Sequence, residues 1–183
     1  MIIVGLDPSL TATGLCALDT RPDGPFWEVG TIKSAPPKIP AEYSSLKRMQ
    51  LIAAQVETRI VSLAGGESID LAVIEAPAFS KNIGMSHERA GLWWMLFTVL
   101  TDQGCTVLVV KPNVRAKYAT GKGNAGKDEV MLAVSRRYTD CEITNNNEAD
   151  AVVLAAMGAR YRGEPVESQL AQSHQAAMRT LTG

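Results

Sequence analysis

Apolar positions along the chain switch between strand-like runs and helical spacing, and the switches divide it into elements. Residues 1–6 are apolar almost without a break and end at Asp7-Pro8, which predicts a buried strand stopping in a turn. Residues 13–19 and 26–32 predict two further strands, joined by the turn Arg21-Pro22-Asp23-Gly24-Pro25. The segment 34–40, with three prolines, reads as a linker. Between 41 and 63, Leu46, Met49, Ile52, Ala53, Val56 and Ile60 recur at helical spacing, and Gly65-Gly66 ends the helix. Residues 71–74 form a short apolar strand that delivers Glu75 to its end. A loop over 76–86 leads into a helix to 103, and 106–110 is a buried strand closed by Lys111-Pro112. Helices follow at 112–118, 127–138 and 146–161, with a glycine-rich loop over 121–126.

A meander followed by alternating strands and helices predicts an α/β fold, a mixed five-stranded sheet flanked by helices. One domain spans 1–163. Residues 164–183 turn polar and alanine-rich without a core pattern, and read as a tail that is disordered or held by a partner.

Composition narrows the class. A chain of 183 residues buries a core without disulfides, and 46% hydrophobic residues against 5% aromatic make that core aliphatic. Cys16, Cys105 and Cys141 share no metal-type spacing and read as reduced thiols. No apolar stretch reaches the length of about 18 residues needed to span a bilayer, and the N-terminus opens on a strand, so a cytoplasmic protein is expected. The net charge of −1 argues against a uniformly basic surface. Yet residues 103–127 lack any acid and carry Lys111, Arg115, Lys117, Lys122 and Lys127. That stripe suits a polyanion met on one face; solvated surface is the plainer alternative.

Three carboxylates stand out by position. Asp7 and Glu75 end predicted strands, and Asp150 lies early in the helix over 146–161, flanked by small and apolar residues where a lone charge is costly. Hard divalent ions prefer oxygen ligands, and two of them about 3.5–4 Å apart can bracket a scissile phosphate. Taken singly, each acid has an ordinary explanation: a turn, a strand end, a helix start.

Gly5-Leu6-Asp7-Pro8-Ser9-Leu10-Thr11-Ala12-Thr13-Gly14, Ala72-Val73-Ile74-Glu75 and Asn147-Glu148-Ala149-Asp150-Ala151-Val152 resemble, in order and separation, the three acidic motifs of the RuvC family of Holliday-junction resolvases. The resemblance runs from residue 1 to about 163. It implies a ribonuclease H-like fold, a homodimer, two Mg²⁺ or Mn²⁺ ions per site, and paired nicks across four-way and related branched DNA. The family's fourth acid sits three residues before the last aspartate, where this chain has Asn147, able to ligate only through a neutral carbonyl oxygen. Val114-Arg115-Ala116-Lys117 and Ala125-Gly126-Lys127-Asp128-Glu129-Val130 resemble the family's lysine-bearing segments. The resemblance makes Lys127 a catalytic candidate and Arg115, Lys117 and Lys122 DNA-backbone contacts.

Phe79 and Lys81, in the loop past Glu75, are candidates for base stacking and phosphate contact, with packing into the core as the alternative for Phe79. The run Leu92-Trp93-Trp94-Met95-Leu96-Phe97 is too apolar for a surface helix and suits core plus a dimer seam. His87 and His174 read as surface residues. Three alternatives stay open, the first being a nuclease whose substrate is instead flaps, forks or RNA–DNA hybrids, and the other two being different functions. One is an actin-like or sugar-kinase-like ATPase, which ordinarily needs a longer chain; the other is a junction-binding protein that has lost cleavage.

Overall fold

The unbroken apolar run at the start of the chain becomes the middle strand of the sheet, because a strand covered on both faces needs apolar residues at every position. The computed structural model describes residues 1–38, 41–77 and 85–181. Strand β1 (Ile2–Asp7) is buried along its whole length. Strands β2 (Ala12–Arg21) and β3 (Gly24–Lys33) pair antiparallel on one side of it, through a hairpin whose corner is Pro22-Asp23 with Gly24 at φ 127°. On the other side β4 (Leu71–Glu75) and β5 (Thr106–Val110) run parallel to β1, giving the order β3-β2-β1-β4-β5. The expected mixed five-stranded sheet is present.

Side chains alternate across a strand, so parity decides which face each residue serves. Ile2, Val4, Leu6, Ala72 and Ile74 pack with α1 (Glu42–Ala64) and α2 (Ser86–Asp102). Ile3, Leu71 and Val73 pack on the opposite face against α5 (Asn146–Tyr161), together with α3 (Pro112–Thr120) and α4 (Lys127–Arg137). Asp7 and Glu75 have the parity of this second set. Both carboxylates therefore end their strands on the face that α5 covers.

Helix α5 is buried at every position from Glu148 to Ala159. Its start is fixed by Asn145, whose side-chain oxygen accepts from the backbone N–H groups of Asn147 and Glu148 at 3.0 and 3.1 Å. Two strand glycines let its backbone lie directly on the sheet. A Cβ at Gly5 would stand 2.1 Å from the carbonyl oxygen of Ala151, and one at Gly14 2.1 Å from that of Asn147. Gly14 pairs with Asp7 across β1 and β2, so this seat lies beside the carboxylate end of the strand.

Residues 164–181 depart from the expected loose tail, for they pack on the domain. Glu167 is buried and accepts from the Tyr118 hydroxyl at 2.8 Å, from the Tyr138 hydroxyl, and from Arg160 at 2.9 Å. Burial, then the Glu167 charge, pushes both tyrosine hydroxyls upward, so they stay protonated as donors. Ala177 is also buried, between helix α6 (Gln172–Gln175) and a 3₁₀ turn at Met178–Thr180. The segment is held by Glu167, by His174 against the Tyr118 carbonyl, and by Ala177 with half-buried Val166, Leu170 and Met178, scattered contacts that leave no periodic stripe to read.

The glycine seat makes a stability prediction. Gly14→Ala forces backbone against backbone and should cost about 3 kcal/mol of unfolding free energy, measured by urea denaturation. A change within about 0.5 kcal/mol would mean that α5 does not bear on β2 at this point.

Candidate active site

Each of the three acids reaches the site by a different local rule. Asp7 is the last residue of β1 and Glu75 the last of β4, and the two strands run parallel with Leu6 beside Ile74, so the acids arrive at neighbouring strand ends. Asp150 lies in the second turn of α5, brought onto the sheet by the close seat at Gly5 and Gly14. Asp7 and Asp150 are both buried, at 9% and 4% exposure, too little to be explained as solvated charges.

Their electrostatics record the crowding. Burial, followed by repulsion from Glu75 and Asp150, holds the Asp7 carboxyl well above the ordinary range, against the pull of Arg115 and Lys127. Asp150 is pushed up to about 6, mainly by burial, with Arg115 working in the opposite direction and Glu75 adding to the rise.

Arg115 is where structure and sequence expectation part. It had been placed on the DNA-facing or solvated surface, but it is buried within the acidic group. Its Nε donates to Glu75 Oε2 at 2.5 Å, and its Nη1 donates to Asp150 Oδ1. The cause is helical geometry: Arg115 shares the inward side of α3 with Ala116 and Ala119, both in the core. That spacing of 115, 116 and 119 was the available signal. Among the described residues Asp7 has no ion-pair partner.

The other candidates fall into three groups. Lys127 is the first residue of α4 and is exposed, yet its charge acts on both Asp7 and Asp150. Asn147 is half-buried in the first turn of α5, its backbone carbonyl against Gly14. Lys117 is half-buried, and Lys122 is exposed and paired with Glu129 at 3.2 Å. Phe79 and Lys81 lie outside the described residues.

Several supporting residues carried no motif. Trp93 Nε1 donates to the Glu75 carbonyl oxygen at 2.8 Å and fixes that strand end from α2. Buried Arg48 donates to the carbonyl oxygens of Leu10 and Ser34, pinning the turn after Asp7. Within that turn the Thr13 hydroxyl donates to the Ser9 carbonyl at 2.7 Å and accepts from the Ser9 N–H at 3.1 Å. Glu148, two residues before Asp150, faces away as its spacing predicts. Burial works against its charge, but hydrogen bonds from Thr144, Thr31 and Asn145 outweigh it and lower its pKa. A cleft of about 340 Å³ opens beside the acids, with Asp7 and Glu75 on one wall and Leu10, Pro77 and Trp93 among its apolar lining.

The donor set suits a hard divalent cation. Its charged donors are carboxylate oxygens, and three acids against one bonded guanidinium leave negative charge to be balanced. One turn before Asp150, Asn146 Oδ1 is a buried acceptor with no hydrogen-bond partner among the described residues. As placed, no three acidic, histidine or cysteine side chains among the described residues are grouped to enclose an ion, and Arg115 stands between Glu75 and Asp150. Also among those residues, no helix is long and apolar enough to cross a membrane.

Comparison with known proteins gives this arrangement a lineage. No family model matches the chain. The crossover junction endodeoxyribonuclease RuvC of Chlamydia trachomatis serovar L2 is 31% identical over 124 residues, covering 63% of this chain and 73% of the relative. The enzyme of the same name from Rickettsia prowazekii is 26% identical over 157 residues, covering 85% of this chain and 94% of its own. Among solved structures, Thermus thermophilus RuvC superposes with a TM-score of 0.66 at 17% identity, over 90% of this chain and 98% of that one. The same protein in complex with a Holliday junction substrate gives a TM-score of 0.64 at 16% identity. With 31% identity to a relative of which it covers 73%, the chain belongs to the RuvC family of crossover junction endodeoxyribonucleases.

Proposed function

We propose that this protein is a metal-dependent endonuclease that resolves Holliday junctions and related branched DNA by paired nicks. The observation that carries the reading is the convergence of Asp7, Glu75 and Asp150 at one end of the sheet, in a chain of this family. Metal dependence is general to the family. Asp7, Glu75 and Asp150 would hold the ions, with Asn147 offering a neutral oxygen in place of a fourth acid. Two Mg²⁺ or Mn²⁺ ions bound there supply charge neutralisation at the scissile phosphate and an acidified water.

The chain's own residues do the rest. Lys127, held at the start of α4 and near enough to act on Asp7 and Asp150, offers an ammonium to the phosphate being cut. Lys117 and Lys122 flank it on α3 and the following loop, where each adds a salt-sensitive backbone contact.

Paired nicks require two sites facing opposed strands, which a two-fold dimer supplies. Helix α2 offers the seam. Trp94 is 62% exposed and packs edge-on to Trp93 and Phe97, an apolar surface that the described residues leave uncovered.

Three measurements test these readings. Labelled four-way, forked and linear duplexes incubated with and without Mg²⁺ or Mn²⁺ should show paired nicks in the branched substrates only when metal is present. Binding with no metal-dependent nicking would sink the nuclease reading. Asp7→Asn should reduce nicking at least about 10³-fold while raising the metal-free melting temperature by about 3–6 °C, since it removes a carboxylate disfavoured first by burial and then by repulsion from Glu75 and Asp150. The sign follows from the raised pKa: ionising Asp7 costs the folded state stability once pH exceeds the unfolded value of about 3.9. The gain should therefore shrink as pH falls toward 4, and a gain unchanged by pH would exclude repulsion as its source. Trp94→Glu should convert a dimer to a monomer in sedimentation analysis and uncouple the paired nicks; an unchanged dimer would place the seam elsewhere.

A further inference from the structure

We infer that Arg115 is a positioning residue that holds Glu75 and Asp150 as an internal cation until a divalent ion takes its place, so that metal loading exchanges guanidinium for metal. The inference rests on the metal-site reading above and deepens it.

Position comes first. Arg115 enters from α3, an element that carries none of the three acids, and its fork joins one acid on the sheet to another on α5. It thereby stands in the space that a shared ion needs. Among the described residues no three acidic, histidine or cysteine side chains are grouped to enclose one. A guanidinium has only donors and cannot ligate a cation, so the lone pairs it occupies on Glu75 and Asp150 are withdrawn from any metal.

Charge comes second. Burial magnifies repulsion among the three acids, and Arg115 is a cation bonded directly to two of them. Without it Glu75 and Asp150 would lose that bonded counter-charge in the metal-free site. The empty state would become less stable and the metal-bound state relatively more favoured. Both consequences tighten metal binding when the guanidinium is removed, because binding is measured against the empty state. Lysine keeps the charge but has no planar fork with which to bridge two carboxylates.

Thermal melting of the full-length protein, metal-free and with Mn²⁺, tests the exchange in the wild type, Arg115→Gln and Arg115→Lys. Arg115→Gln should melt below the wild type without metal, gain at least about twice as many degrees from Mn²⁺, and bind Mn²⁺ at least about tenfold more tightly by calorimetry. Arg115→Lys should fall between the two. An ordinary packing role lowers both melting temperatures equally, and equal Mn²⁺ shifts in Arg115→Gln and wild type would overturn the exchange while leaving the nuclease reading intact. Should metal-free Arg115→Gln not fold, recovery of the fold on adding Mn²⁺ supports the exchange, and failure to recover overturns it. No Mn²⁺ shift in the wild type would remove the metal site on which the inference stands.

Discussion

The distance between α5 and the sheet governs the carboxylate end of the molecule. Asp7 and Glu75 are placed by strand register alone, but Asp150 reaches them only if the helix backbone lies against β1 and β2 with no side chain between. Gly5 and Gly14 provide that contact from the strands, and Ala149, Ala151, Ala155 and Ala156 keep the helix surface shallow. An aliphatic core of ordinary side chains would have held the helix farther out. The glycines in the first acidic motif thus serve Asp150 as much as they serve the strand that carries Asp7.

Much of this was legible in the sequence. The strands were visible as apolar runs, and Asp7 and Glu75 as the acids at their ends, but putting both on one face also needed the register of β1 against β4. Asp150 stood out as a charge among small residues on a helix. Arg115 was harder, since a basic residue within a basic stripe looks like surface, and only the inward pairing with Ala116 and Ala119 distinguishes it. Trp93 and Arg48 were not legible as site residues, because they act through backbone carbonyls, which have no sequence signature. The packing of residues 164–181 escaped for a related reason: a single buried glutamate with two tyrosines and an arginine across the fold makes no local pattern.

The basic stripe also proved to be several things. Arg115 faces inward to the acids, Lys122 is tied to Glu129, and Lys127 faces outward at a helix start with its field on the site. Three of the five basic residues therefore take different parts: a buried counter-ion, a surface pair and, among the described residues, an unpaired ammonium. Local charge density alone is a poor guide to exposure; the direction in which each side chain leaves its helix decides the matter.

Tyr118 lies on α3 three residues beyond Arg115, and its hydroxyl is bonded to Glu167 while His174 meets its backbone carbonyl. Residues far along the chain are in this way mechanically continuous with the helix that presents the guanidinium. Glu167 and His174 thus bear on the acids only through α3, at one remove from every carboxylate in the site.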